Sequence, residues 1–205
     1  LDPKRFETLT RGGVLGRTVN GIEAAIQTSL TVKINSVAVD ERSLDDAPAL
    51  IEAYAQQHPV EVRFLEMMPL AGQGWQAESF VSLDTIESRV RLQYGLVPLP
   101  DNGGVARRFG RSDWPGTVGF IRSLSGPFCG TCSRLRVTAW GELRPCLFSE
   151  RGRSLMPSLE AGDDAGLKSV MAGAVREKEP GHGQTEASWA AHSASERTWI
   201  RHTGG

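Results

Sequence analysis

Two β-rich runs separated by one helical pattern constrain this chain most. The first is Thr31-Val-Lys-Ile-Asn-Ser-Val-Ala-Val39 and the second is Val60-Glu-Val-Arg-Phe-Leu-Glu-Met-Met68. Between them, Ala47, Leu50, Ile51 and Tyr54 follow the i, i+3, i+4, i+7 spacing of an amphipathic helix. Ser43 or Asp45 is the expected N-cap, and Pro48 is tolerable only near the first turn. Strand, helix, strand in that order predicts a βαβ unit, a parallel sheet and an α/β fold class. Alternation puts Lys33 and Asn35 on one face of the first strand and Ile34, Ser36 and Ala38 on the other. A lysine in such a strand either reaches solvent at a sheet edge or points into a binding cavity, because burial without a partner is costly.

The rest of the chain is less regular. Residues 1–30 read as two helical segments broken at Gly12-Gly13, with Phe6, Ile22, Ala25 and Ile26 as apolar positions. A further helix is expected from Ser82, with Val81 and Ile86 as a hydrophobic staple and Gly95 as its C′ residue. Residues 95–128 are rich in Gly and Pro and read as loop with short strands. A last helix is expected over roughly 163–178, with Leu167, Val170, Met171, Ala174 and Val175 on one face. The polar tail after 184 shows no core-forming period and ends in Gly204-Gly205.

Composition excludes several classes. The formal net charge of −1 argues against bulk nucleic-acid binding. No apolar run approaches the roughly 18–20 residues of a membrane span. No basic-then-apolar leader is seen, which predicts a cytoplasmic protein. Leu1 in place of methionine points to a processed product, a fragment or a partial gene product.

Three cysteines carry the chemistry: Cys129 and Cys132 as C-x-x-C, and Cys146. An odd number does not suit a disulfide framework, and clustered thiols in a reducing compartment are commonly metal ligands. Leu135 and Val137 alternate with Arg134, Arg136 and Thr138, which predicts a strand leaving the C-x-x-C turn. Trp140-Gly141-Glu142 reads as a hairpin turn returning Cys146 to the pair. Structural zinc wants four protein ligands, and His182 is a candidate fourth. A redox dithiol leaves Cys146 unexplained. A cubane iron–sulfur cluster on three thiolates leaves one iron open. The residues alone leave zinc and iron–sulfur both open. Between Gly104 and Pro145 lie Arg107, Arg108, Arg111, Arg122, Arg134, Arg136 and Arg144, opposed locally by Asp113 and Glu142. That cation excess tilts the site toward an anionic ligand such as a nucleoside triphosphate.

The cysteine segment, with Ser133-Arg-Leu-Arg136 after the second cysteine and Pro145-Cys-Leu-Phe148 around the third, resembles the GTP 3′,8-cyclase family. These are radical S-adenosylmethionine enzymes that open molybdenum cofactor biosynthesis. Val32-Lys-Ile-Asn35, Arg63-Phe-Leu-Glu-Met-Met-Pro69, Gly119–Phe128, Lys178-Glu-Pro-Gly-His182 and the terminal Gly-Gly also match. The resemblance implies the later part of an incomplete (β/α)6 TIM-like barrel over 1–95, then a C-terminal cluster-binding region over 96–205. It implies Cys129, Cys132 and Cys146 as ligands of an auxiliary 4Fe-4S cluster whose open iron meets the guanine of GTP. Lys33, Arg134, Leu135 and Arg136 would line the GTP site. Met68 would lie beside S-adenosylmethionine, and Gly204 and Gly205 would insert toward the active site.

The family's N-terminal C-x₃-C-x₂-C motif is absent from this sequence. S-adenosylmethionine and a second 4Fe-4S cluster are therefore implied for the complete enzyme alone, and this chain by itself is expected to be inactive. The resemblance further implies conversion of GTP to 3′,8-cyclo-7,8-dihydro-GTP, a homodimer, a separate radical-generating half as partner, and cyclic pyranopterin monophosphate synthase acting downstream. The alternative is a non-catalytic nucleotide-binding module with a structural cysteine-bound metal.

Overall fold

The computed structural model describes residues 1–70, 75–149, 152–179 and 181. They form two compact units: Leu1–Met67 with Ser79–Ser125, and the described residues of Met68–Glu78 with those from Gly126 onward.

The first unit begins with α1 (Pro3–Leu9) and α2 (Leu15–Ile26). Asp2 caps α1 by accepting from the Lys4 and Arg5 backbone N–H groups at 2.9 and 3.2 Å. The break falls at Arg11 and Gly12, both with positive φ (57° and 104°). The following elements are β1 (Lys33–Ala38), α3 (Ser43–Leu50), β2 (Glu61–Glu66), α4 (Leu83–Tyr94), β3 (Val97–Pro98), β4 (Arg107–Gly110) and β5 (Thr117–Ile121). The strands lie in the order β1-β2-β5-β4-β3.

The expected parallel pairing is present. Lys33 stands opposite Glu61 and Ala38 opposite Glu66, and β5 adds to β2 in the same direction. The other side departs from a barrel. β4 and β3 run antiparallel, because the short link between β4 and β5 cannot make the long crossover that parallel strands need. Among the described residues the sheet stays open, with β1 and β3 as its edges.

The core lies between the sheet and the helices α3 and α4. Ile51, Val60, Val62, Leu83, Ile86, Val90, Phe109, Val118 and Phe120 are buried there. Burying each such side chain is worth about 1.5–3 kcal/mol. Phe120 stacks on Phe64 and meets the Phe109 ring edge-on, with centroids 5.7 and 5.8 Å apart.

The cap of α3 differs from expectation. Ser43 is its first residue, and the Ser43 hydroxyl turns back to accept from the Val39 N–H at 3.2 Å. Pro48 lies inside α3, and beyond Leu50 the helix widens to a π-helical turn over Ile51–Ala55. The helix from Ser82 is as expected: Ser82 accepts from the Asp84 N–H, and Gly95 ends α4 in the left-handed region at φ 65°.

The second unit holds β6 (Arg136–Val137), β7 (Glu142–Arg144) and β8 (Arg153–Ser154), all antiparallel, followed by α5 (Met156–Glu160) and α6 (Asp164–Arg176). Asp163 caps α6 on Gly166 N–H at 2.9 Å. Leu143, Leu155 and Ala174 form a small core joined by Leu135, Leu167 and Val170. Met171 and Val175, expected on the apolar face of α6, are instead exposed. No described helix is long and apolar enough to cross a membrane.

Candidate metal centre

Cys129 opens a tight 3₁₀ turn that runs to Thr131. The Thr131 N–H donates to Phe128 O and the Cys132 N–H to Cys129 O, each at 3.2 Å. This closes the C-x-x-C loop on its own backbone and turns both cysteines to one side of the chain. β6 then leaves the turn, and the hairpin reverses at Gly141, whose φ of 79° favours glycine. Arg136 pairs opposite Arg144 and Val137 opposite Leu143, so Pro145 and Cys146 emerge from β7 beside the start of β6.

One expectation about β6 is reversed: Val137 is exposed and Thr138 is buried. The Thr138 hydroxyl accepts from the Glu142 N–H at 3.0 Å and closes the turn, which draws the threonine inward.

The hairpin gathers all three cysteines on the wall of one cavity of about 590 Å³, together with Pro145, Phe148 and Lys178. No disulfide joins them, and each is half-buried. Among the described residues, no three of His, Cys, Asp and Glu stand close enough to hold one metal ion.

The cavity wall carries both signs, with Lys178 flanked by Glu177, itself paired with Arg153, and by Glu179. Burial would push the Cys132 thiol up, but the Arg134 backbone N–H, the Lys178 ammonium and the Arg134 side chain together hold it below the ordinary thiol value. Arg136 is drawn below the usual arginine range by burial and then by the like charge of Arg134, while Cys146 and Cys132 oppose this. Arg136 thus feels two of the three sulfurs. The Arg134 guanidinium lies over the Phe128 ring at 4.9 Å, a cation–π contact that orients its planar fork. Leu135 turns the other way, into the small core with Leu143 and Leu155.

Much of the local arginine excess is neutralised by acids distant in sequence. Arg122 pairs with Glu87 and Asp84, Arg107 with Glu87, and Arg108 with Glu61. Arg111 pairs with Asp113, and Arg144 with Glu142. Among the described residues Arg134 has no carboxylate partner.

The other expected site residues lie as follows. Lys33 is on the edge strand β1, half-exposed, with Nζ 3.6 Å from Glu61 Oε2 on β2. Met68 follows β2 by two residues and is half-buried. Gly204, Gly205 and His182 lie outside the described residues. Two further residues escaped sequence reasoning. Arg63, on the same strand face as Glu61, donates from Nε to Asn35 Oδ1 at 2.8 Å. Lys178 stood in the sequence only within the Lys178-Glu-Pro-Gly-His182 match, because its contact with Cys132 spans too much sequence to leave a local pattern.

Residues 60–184 match the profile of the family described as Molybdenum Cofactor Synthesis C. The chain belongs to that family. It is homologous to the C-terminal portion of GTP 3′,8-cyclases. The GTP 3′,8-cyclase of Rhodopseudomonas palustris is 37% identical over 186 residues, which are 89% of this chain and 54% of that protein. That of Heliobacterium modesticaldum is 36% identical over 195 residues, covering 92% of this chain and 59% of the relative. That of Paracoccus denitrificans is 34% identical, with 100% of this chain and 60% of the relative aligned. The chain thus spans about half the length of the curated relatives it matches. The Molybdenum Cofactor Synthesis C profile covers the whole cysteine hairpin and Lys178.

Proposed function

We propose that this chain is the GTP-binding, auxiliary-cluster part of a GTP 3′,8-cyclase. In this reading Cys129, Cys132 and Cys146 hold a 4Fe-4S cluster. The observation that carries it is the single cavity walled by all three cysteines. Ligands of one zinc ion must converge within a Zn–S distance of about 2.3 Å. Cysteines of a cubane each meet a different iron, so three thiols on one cavity wall can serve it with one iron left open. When bound, such a cluster would supply an open iron as a Lewis acid toward the guanine of GTP.

Arg134, oriented by Phe128, and Arg136, beside the thiols, are the proposed phosphate ligands, with Leu135 fixing their spacing from the core. Lys33 is proposed as a further GTP contact and Met68 as a neighbour of S-adenosylmethionine. The terminal Gly204 and Gly205 are proposed to reach the active site. The sequence contains three cysteines, all in this hairpin. The radical that starts the conversion of GTP to 3′,8-cyclo-7,8-dihydro-GTP must then come from a second 4Fe-4S cluster with S-adenosylmethionine, held by a radical-generating portion. A cytoplasmic homodimer, with cyclic pyranopterin monophosphate synthase acting on the product's path, completes the proposal.

The test is anaerobic reconstitution of this chain with iron and sulfide. The reading expects a brown protein with about four iron per chain and a visible or electron-paramagnetic-resonance spectrum that GTP perturbs. A colourless protein carrying one zinc would favour a structural-metal module instead. Deoxyadenosine produced from S-adenosylmethionine only when the radical-generating portion is added would support the catalytic assignment.

A further inference from the structure

We propose that Lys178 is a positioning residue that fixes the Cys132 thiolate and raises the reduction potential of an iron–sulfur cluster bound there. The proposal rests on the iron–sulfur reading of the three cysteines given above.

α6 delivers this lysine. The Lys178 N–H donates to Val175 O at 3.2 Å, which anchors its backbone just past the helix end. Glu177, its neighbour, is bound by Arg153 of β8, so the helix end is tied to the same small sheet that carries the cysteine hairpin. The side chain then crosses to the C-x-x-C turn. Its ammonium has three N–H donors and meets three acceptors: Cys132 O at 2.6 Å, Arg134 O at 2.9 Å and Cys132 Sγ at 3.4 Å. Among the described residues it forms no ion pair with a carboxylate. Its charge is therefore directed at carbonyl dipoles and one sulfur.

Two consequences follow. The two carbonyl bonds hold the backbone from Cys132 to Arg134, so one cation sets both a proposed ligand and a proposed phosphate-binding arginine. The N–H···S bond places a positive charge on a thiolate that would belong to the cluster. Hydrogen bonds to the sulfurs and net charge are among the factors that set cluster potentials. Reduction adds one electron, and so one negative charge, to the cluster. A nearby ammonium stabilises that reduced form, and its removal must shift the couple to more negative potential.

The experiment compares the full chain with Lys178→Met, Lys178→Arg and Lys168→Met. Lys168 lies earlier on α6 and controls for loss of one positive charge. Amide hydrogen exchange on the metal-free proteins reads the clamp. Redox titration of the reconstituted proteins with dithionite, followed by electron paramagnetic resonance, reads the potential. Lys178→Met should speed exchange of the 132–136 amides about tenfold while β1 and β2 keep their rates. It should also move the reduction equilibrium about tenfold toward the oxidised form, about 59 mV for one electron. Lys178→Arg should recover part of the potential, and Lys168→Met should change neither reading.

Unchanged exchange in Lys178→Met overturns the proposal. Faster exchange at an unchanged potential also overturns it, by reducing Lys178 to a backbone clamp. If the unsubstituted chain assembles no iron–sulfur cluster, the underlying reading falls and the tuning role with it; faster exchange would then still credit the lysine with holding the loop.

Discussion

The Glu87 carboxylate receives the Arg122 guanidinium at 2.6 Å in a setting where Glu87 is only 3% exposed. Arg91, one turn along α4, and Arg107 of β4 approach the other oxygen at 3.4 and 3.7 Å. The pair ties α4 to the strand register just beyond β5. Removing Glu87 would leave Arg122 largely desolvated, with Asp84 as its remaining carboxylate among the described residues. Glu87→Leu is expected to destabilise the first unit by about 3 kcal/mol, the cost of breaking a buried pair by removing one partner. The double substitution Glu87→Leu with Arg122→Met should recover much of that loss. Urea unfolding of the three proteins checks both statements.

Gly116 precedes β5 where the chain passes over the end of the π-helical turn. A Cβ there would stand 2.5–2.6 Å from the backbone oxygens of His58, Val60 and Ala55. Backbone cannot yield as a flexible side chain can. Gly116→Ala is expected to cost about 1–3 kcal/mol, the range for overpacking. The Gly130→Ala control, with nothing within 4 Å of the added Cβ, should stay close to wild type in the same melt.

Arg134 and Arg144 separate binding from folding. Arg144 donates to Glu142 at 2.9 and 3.2 Å and to Ser149 O at 3.3 Å, so its loss should loosen the hairpin. Arg134 is exposed and rests on Phe128. On the proposed reading, Arg134→Ala should weaken GTP binding by about tenfold or more with little change in unfolding midpoint, since a charged hydrogen bond contributes about 1.5–3 kcal/mol. Arg134→Ala with Arg136→Ala should abolish binding. Calorimetric titration beside a thermal melt distinguishes the two kinds of arginine.

Acid should release α1. Arg5 donates to both Asp40 oxygens at 2.9 and 2.7 Å and to Asp46 at 3.2 Å. The hydrogen bond from Arg5 holds the Asp40 carboxyl below its usual range, against the effect of burial. A depressed carboxylate contributes stability above its unfolded pKa, about 3.9, and loses it as pH falls through the lower folded value. Asp40→Asn should thus be less stable than wild type at pH 7, with the gap closing in acid as pH falls through the lowered Asp40 value. Denaturant melts at pH 7 and in acid test the sign. Half-exposure of Asp40 implies that salt also narrows the gap.

Local patterns carried the parallel half of the sheet. The β-rich runs around Lys33 and Arg63 and the helical spacing from Ala47 to Tyr54 need only neighbouring residues to be read. The C-x-x-C turn and the Trp140-Gly141-Glu142 reversal were legible for the same reason. Short strands were expected among residues 95–128, but the bounds and antiparallel pairing of β3 and β4 were not legible, because short strands among Gly and Pro have no period to count. The arginine excess before Cys129 looked uncompensated because Glu61 and Glu87 belong to other segments. The Ser43 hydroxyl could have capped α3, and the competing Val39 N–H took it instead.

The hairpin from Cys132 to Cys146 has a kinetic meaning as well. Its contacts are close in sequence, so two of the three thiols converge as soon as β6 and β7 zip, an event of about 1–10 μs for a hairpin. The five-stranded sheet must close far longer loops, as its β2 to β5 pairing shows, and such non-local contacts form slowly. The sulfurs of Cys132 and Cys146 are therefore brought together while the rest of the chain is still searching for its register. Lys178, arriving from the far end of α6, would be the last piece to lock over them.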